Sequence, residues 1–410
     1  MAGLLPALLV VTGLLGGGWL LAGARPVRPA ASARGLAAVP GLAGPEGGGL
    51  PRVSVIVPAR DEEATLPVLL ASVAALRQAP HELIVVDDGS TDRTATVARA
   101  AGARVLAAPP PPARWLGKPW ACHLGAEAAT GDHLLFLDAD TRLAPDALGR
   151  LLAEHAALTP DGLLSVAPYH ATERPYEELS AACNVVSALG TGAFAGPPGR
   201  AVPALTRAAF GPCLVTTAAA HRAVGGHAAV RGEVVEDVAL AANYRAAGRP
   251  VRCLTGGDAV AFRMYPDGLA QLVEGWSKNL AAGAGTTGPR APLALAGAVA
   301  WVAACVAVGW DGLAALGGLV AGAVDLGTDG GARGLPAGAV WTAAAWAAVA
   351  AEMRWMLRRL GAFRWWTAVL FPIPLVAFVA VFFRSLGLTY VRRRVTWRGR
   401  QIALRAGEKP

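Results

Sequence analysis

Leu134-Leu135-Phe136-Leu137-Asp138-Ala139-Asp140 joins a short apolar run to a pair of carboxylates. An apolar run of this length bounded by turn residues reads as a strand buried on both faces, the kind that fills parallel sheets. Upstream, Leu83-Ile84-Val85-Val86 runs into Asp87-Asp88-Gly89-Ser90 in the same manner. Ligands of open α/β sheets bind just beyond the carboxyl ends of the strands, so both acidic pairs are expected at one site.

The flanking sequence alternates strand and helix. Val53-Ser54-Val55-Ile56-Val57 predicts a first strand, Glu62 to Arg77 a helix, Glu82 to Val86 a second strand, Thr91 to Ala101 a helix and Arg104-Val105-Leu106 a third strand. This spacing implies βαβ units and an α/β domain over 51–285, its mostly parallel sheet flanked by helices. Pro109 to Pro112 leads into Trp115-Leu116-Gly117-Lys118 and a helix carrying Ala121, Leu124 and Gly125. Pro145 opens the helix after the Asp138 strand, and Leu163 to Ala167 predicts another strand. An amphipathic stretch from Tyr176 to Phe194 precedes a Pro/Gly-rich loop through Pro203, expected as a lid or acceptor-facing segment. Glu236-Asp237 opens a helix, Val238 to Ala247, that ends at Gly248.

Hydrophobic residues make up 54% of the 410, and the mean hydropathy is +0.42. That exceeds what a soluble domain needs, so part of the chain is expected in lipid. Residues 3 to 23 form an apolar stretch of about the roughly 20 residues that cross a bilayer. Met1 is followed by no basic region, so retention of residues 1–24 as an anchor is expected over removal at Ala22-Gly23-Ala24. Residues 25–50, rich in Gly, Ala, Pro and Arg, read as a flexible linker. Further apolar stretches at 291–310, 312–324, 336–351 and 365–383 predict three or four membrane segments over 286–390, with Asp311 interrupting the first and Pro372 and Pro374 breaking the last. Residues 391–410 read as a basic tail.

Arg25, Arg28, Arg34 and Arg52 after the first segment, with Lys278 and Arg290 before the next, place the intervening domain in the cytoplasm of a multi-pass cell-membrane protein. Basic clusters at Arg354, Arg358, Arg359 and Arg364 and at Arg392 to Arg394 imply a re-entrant last crossing. The net charge of +8 therefore reads as anchoring to anionic lipid. No basic strip interleaved with aromatics supports a nucleic-acid partner. The five cysteines form no C-x-x-C pair and read as reduced thiols rather than a zinc site.

Together these constellations match what transfer from a nucleoside diphosphate sugar requires: a grip on the nucleoside, neutralisation of the diphosphate and a base for the acceptor. Pro58, Ala59, Arg60 and Glu62 leave the first strand where they can cradle base and ribose, although Asp61 and Glu62 equally suit a helix cap. Asp87 and Asp88 can accept from a pyrimidine N–H or a ribose hydroxyl, or form a plain turn. Lys118 can pair with phosphate as a point charge. Asp138 and Asp140 are hard oxygen ligands for Mg2+ or Mn2+ bridging the diphosphate. Asp237, with Glu236 beside it, is the candidate base, attacking through the acceptor from the face opposite the diphosphate and so inverting the anomeric centre. Glu236, Arg263, Trp276 and Lys278 are expected on the acceptor or phosphate side, with interfacial anchoring as the alternative for Trp276.

Residues 53 to about 280 resemble the family 2 glycosyltransferases of GT-A fold. The ordered set is Val53 to Glu62, Val86-Asp87-Asp88-Gly89-Ser90, Gly117-Lys118, Asp138-Ala139-Asp140 and Glu236-Asp237. The resemblance implies that the Asp87 pair contacts the nucleoside, Asp140 the metal, and that Asp237 is the base. Trp115-x-Gly117-Lys118-x-x-Ala121, Gly225-Gly226-His227, Val235 to Leu240, Arg263-Met264-Tyr265 and Glu274 to Asn279 look like the subgroup that glycosylates carotenoid acids. Gly275-Trp276-Ser277-Lys278 stands where processive polysaccharide synthases carry Gln-x-x-Arg-Trp, which speaks against chain extension. The expected activity is inverting transfer from a UDP-sugar to a lipid such as a carotenoid or other polyprenoid. The alternatives are a polyprenyl-phosphate glycosyltransferase and a catalytically silent membrane scaffold.

Overall fold

The computed structural model describes residues 4–29, 51–158, 161–197, 209–285, 292–325, 337–391, 394–397 and 400–403. Helix α1 (Leu4–Leu21) comes first, and then the alternation sets in: β1 (Val53–Ala59), α2 (Leu66–Ala74), β2 (Glu82–Asp87), α3 (Thr94–Ala100), β3 (Arg104–Ala107), α4 (Gly117–Ala128), β4 (His133–Leu137). The chain continues through β5 (Thr141–Leu143), α5 (Ala147–Ala156), β6 (Leu163–Ala167), β7 (Tyr169–His170), a 3-10 turn (Pro175–Leu179) and α6 (Ser180–Thr191). Then follow β8 (Cys213–Thr217), α7 (Ala218–Ala223), a 3-10 turn (Gly226–Val230), α8 (Glu236–Ala246), β9 (Val251–Thr255) and β10 (Val260–Phe262). Helices α9 (Leu269–Gly285), α10 (Pro292–Asp325), α11 (Ala337–Leu360), α12 (Trp365–Val369) and α13 (Pro372–Leu386) close the fold, with a β11 (Arg394–Trp397) and β12 (Arg400–Ala403) hairpin inside the expected tail.

The main sheet has the order β3-β2-β1-β4-β8-β6-β9, and β8 alone runs antiparallel to its neighbours. Val55 lies opposite Leu83 on one side and Leu135 on the other. Their parallel register brings the carboxyl ends of β1, β2 and β4 to one edge, which is where the two acidic pairs emerge. Helix α4 approaches this sheet without a side chain in between: a Cβ at Gly125 would collide with Ile56 Cγ2 and lie 3.2 Å from Val86 Cγ2. The closeness fixes the start of α4, and with it Lys118, over the sheet edge.

Three local expectations change. The helix expected from Glu62 begins only at Leu66, because Asp61 takes a left-handed φ of 51° and the backbone N–H groups of Asp61, Glu62 and Glu63 donate to Ser90 Oγ, Thr94 Oγ1 and Asp92 Oδ2. Asp311 does not interrupt its helix, since α10 runs unbroken through it with that carboxylate on the outside. Pro372 opens α13 rather than breaking it, in the first turn where no intrahelical N–H is missed. Two described stretches, Leu293–Gly318 and Pro372–Tyr390, are long and apolar enough to cross a bilayer, and Pro6–Leu21 is a shorter apolar helix. Helix α11, on the expected 336–351 crossing, is not among them.

Helix α1 is built into the rest of the molecule. A Cβ at Gly13 or Gly17 would strike Ala304 or Trp301 of α10. The chain then turns with Gly23 donating to the Phe194 carbonyl at 2.9 Å, and Val27 to that of Thr255 at 2.9 Å. Residues 25–29 of the expected linker thus run beside β9, while 30–50, including Arg34, lie outside the described residues, as do Arg290, Arg392, Arg393 and the loop at 198–208. At the opposite joint, Glu178 accepts from the Arg364 N–H at 3.2 Å and from Thr367 Oγ1 at 2.5 Å, tying the first 3-10 turn to α12.

Gly125→Val forces α4 off the sheet. The expected cost is about 1–3 kcal/mol, as for overpacked cores, read as a lowered thermal unfolding midpoint of the purified protein.

Candidate active site

The Asp138-Ala139-Asp140 turn is held between two strands. Asp138 donates its backbone N–H to the Pro212 carbonyl at 3.0 Å, and its own carbonyl accepts from Thr141 N–H at 3.1 Å. The segment Phe210-Gly211-Pro212 therefore threads between the Asp138 pair and the start of α8. There Asp237 Oδ2 accepts from Gly211 N–H at 2.6 Å and Oδ1 from Val238 N–H at 2.9 Å. A side chain at Gly211 would crowd the site: a Cβ would stand 3.1 Å from Asp237 Oδ2 and 3.3 Å from Lys118 Nζ.

Lys118 Nζ bridges the two acidic elements, 2.8 Å from Asp138 Oδ1 and 3.0 Å from Glu236 Oε1. Burial works against this ammonium, yet the adjoining Asp138 and Glu236 carboxylates hold its pKa well above that of a free lysine. One cation does not serve every acid here. Burial, then Asp138 and Glu62, push Asp140 up to about 8 against the pull of Lys118. Burial and Glu236 push Asp237 up to about 7, with Lys118 and its two backbone donors opposing.

Asp140 Oδ1 is buried and has no hydrogen-bond partner. A buried carboxylate oxygen in that position, beside a second carboxylate, fits a hard divalent cation whose remaining ligands come from substrate phosphates and water. Among the described residues no group of three His, Cys, Asp or Glu side chains forms a metal site by protein ligands alone.

On the other side, the loops after β1 and β2 brace each other. Arg60 Nη1 donates to the Asp88 carbonyl at 2.5 Å and lies 3.8 Å from its Oδ2. Asp61 Oδ1 accepts from Thr91 N–H at 2.7 Å. Asp87 Oδ1 accepts from Ser90 N–H at 3.0 Å, closing the turn in which Gly89 takes a φ of 68°.

A cavity of about 1330 Å³ joins these groups. Pro58, Ala59, Arg60, Glu62 and Asp88 line it, together with Lys118, Asp138, Asp140, Glu236 and Asp237. Trp276 and Lys278 lie farther along the same wall. Asp87 and Arg263 are not on it. Asp87 serves the turn, and Arg263 is held by Glu177 and Glu173, each at 2.7 Å. Trp276 is 5% exposed and its Nε1 donates to Ser180 Oγ at 3.0 Å, so the indole is a packed wall rather than an open stacking platform.

Sequence reasoning missed several contributors. Gly211-Pro212 offered one signal, turn punctuation ahead of the apolar run Leu214-Val215. Trp115 also lines the cavity, with Pro110 and Pro111, and their strap is pinned by Trp120 Nε1 donating to the Pro109 carbonyl at 2.9 Å. The apolar end of the cavity gave no local signal, because its walls come from α6, α10 and α13, remote in sequence: Ala188, Ala298, Val302, Phe378 and Phe382.

The chain is similar to known proteins over most of its length. Residues 54–182 match the model of Glycosyl transferase family 2. The chain is 34% identical over 355 residues to 4,4'-diaponeurosporenoate glycosyltransferase of Staphylococcus aureus strain MRSA252, covering 86% of this chain and 88% of that protein. Among solved structures, the mannosyltransferase PcManGT from Pyrobaculum calidifontis, in complex with GDP-Man and Mn2+, aligns over 81% of this chain and 87% of its own at 20% identity and a TM-score of 0.46. Glucosyl-3-phosphoglycerate synthase from Mycobacterium tuberculosis aligns over 62% and 85% at 22% identity and a TM-score of 0.40. On its extended likeness to the staphylococcal enzyme and the match to the family model, the chain belongs to the family 2 glycosyltransferases.

Proposed function

We propose that this glycosyltransferase is membrane-bound and inverting, and that it moves a sugar from a nucleoside diphosphate donor, UDP-linked by preference, to a lipid of the carotenoid or polyprenoid class. The observation that carries this reading is the continuity of the cavity: one wall holds Asp138, Asp140, Lys118 and Asp237, and the same space runs on between apolar residues of α10 and α13. A water-soluble acceptor needs no such extension. The name of the staphylococcal relative, a carotenoid-acid glycosyltransferase, supports the same acceptor class.

The roles follow from position. Arg60 and Asp88 hold the nucleoside, and Lys118 turns from Asp138 and Glu236 to the diphosphate as it arrives. Asp140 and Asp138 hold Mg2+ or Mn2+, which when bound offsets the charge developing on the leaving diphosphate. Asp237 takes the proton from an acceptor hydroxyl as that oxygen attacks the anomeric carbon, its pKa of about 7 suiting a general base near neutral pH, whereas a carboxyl acceptor arrives already ionised. Glu236 keeps Lys118 in reach.

Lipid surroundings are supported by the surface of the apolar helices. Only 28% of the Pro372–Tyr390 window is buried within the molecule, which leaves a long apolar face that water would not stabilise. We therefore place α1, α10 and α13 in the cell membrane, with the domain over 51–285 on its cytoplasmic side and residues 286–390 as the membrane region.

The primary test is turnover of UDP-sugars by the protein in lipid, with and without Mn2+, against lipid extracts. A stable glycoside or glycosyl ester is expected, whereas an acid-labile phosphodiester product identifies a polyprenyl-phosphate acceptor instead. Asp140→Ala should remove the Mn2+ stimulation and lower kcat by about hundredfold or more, with calorimetry showing loss of Mn2+ binding in the presence of UDP. Since Asp237 works as a base only when deprotonated, kcat/KM should rise with pH through about 7. Asp237→Asn should lower kcat by about 10²–10⁴-fold and abolish that ascending limb.

A further inference from the structure

The apolar end of the cavity differs from a closed pocket in how its walls end. Near the carboxylates they are buried: Ala298 of α10 is 2% exposed and Phe378 of α13 is 5% exposed. On the same two helices, Val299 is 58% and Phe383 66% exposed, and both line the same cavity. Helix α6 packs against both α10 and α13, and it lines the cavity with Asn184, Val186, Ser187, Ala188, Gly190 and Thr191. The space is therefore a groove floored by α6, with an open side at Val299 and Phe383. The two helices that form its walls are also those long and apolar enough to span a bilayer.

We propose that the enzyme reads only the reactive end of its acceptor and leaves the remainder of the tail in the bilayer, so that acceptors of one head chemistry are used alike whatever their tail length. This rests on the lipid-acceptor reading above. A closed pocket counts methylenes, because each one too many must displace packed side chains. An open-sided groove between spanning helices does not, because tail that leaves it passes from one apolar environment into another of similar solvation. Selection then falls on the head group beside Lys118 and Asp237 and on the first few carbons between Ala298 and Phe378.

The test uses the full chain in phosphatidylcholine vesicles with UDP-sugar and Mn2+. Acceptors are polyprenols and polyprenoic acids with geranyl, farnesyl, geranylgeranyl and octaprenyl tails, each at equal mole fraction in the bilayer. Within the preferred head chemistry, kcat/KM should stay within about threefold from geranylgeranyl to octaprenyl, where a closed pocket discriminates by about tenfold or more per misfitted group. A drop of about tenfold over that interval overturns the inference. Val299→Trp, which fills the open side, should lower the octaprenyl-to-geranyl ratio of kcat/KM by about tenfold. That ratio is internal to one preparation, so a partly folded variant does not imitate it. An unchanged ratio overturns the proposed exit. Transfer to no acceptor of either head, with nucleotide-sugar hydrolysis intact, overturns the lipid reading and this inference together, whereas tail dependence overturns the inference alone.

Discussion

The ammonium of Lys118, held between Asp138 and Glu236, is the contact on which the rest of the site depends. It joins the end of β4 to the start of α8 across a gap in which Glu62, Asp140 and Asp237 add further negative charge. Like charges at such density in a half-buried cleft repel, and one lysine relieves only its immediate neighbours. Burial first, and then the neighbouring carboxylates, raise the carboxyl pKa values to about 8 for Asp140 and about 7 for Asp237. The same imbalance is what a hard divalent cation would relieve, and it is the environment that the proposed base role of Asp237 requires.

Backbone geometry keeps this charge concentrated. The β1 loop cannot become helical while its three N–H groups serve side chains of the β2 loop, so Arg60 and Glu62 stay at the sheet edge. Gly125 lets α4 lie directly on Ile56, and Gly211 lets β8 enter beside Asp237. In each case the absence of a side chain allows the approach that places a charged one elsewhere.

The apolar helices belong to the same machine. Glycines of α1 seat it on α10, Glu178 clasps the start of α12, and α6 rests between α10 and α13. These joints make the apolar groove and the carboxylates parts of one cavity.

The sequence by itself determined the local elements and the chemical inventory. The period of the apolar runs defined β1, β2, β4 and β6, and residue type picked out Asp138, Asp140, Lys118, Glu236 and Asp237, all of which line one cavity. It also placed Arg263 and Asp87 among the candidates; the structure puts neither on the cavity wall, with Arg263 paired to Glu177 and Asp87 accepting from Ser90 N–H, partners that residue type alone does not reveal. Only the tertiary structure decided which partner each charge takes, where Glu62 to Thr65 stops being helical, and that α10 passes Asp311 unbroken. It alone brought Gly211 to Asp237 and the groove of α10 and α13 to the reaction centre. The physical reason is the range of the forces involved: propensity and apolar periodicity act over a few neighbouring residues, whereas ion pairing, close backbone approach and cavity shape arise between segments that only folding brings together.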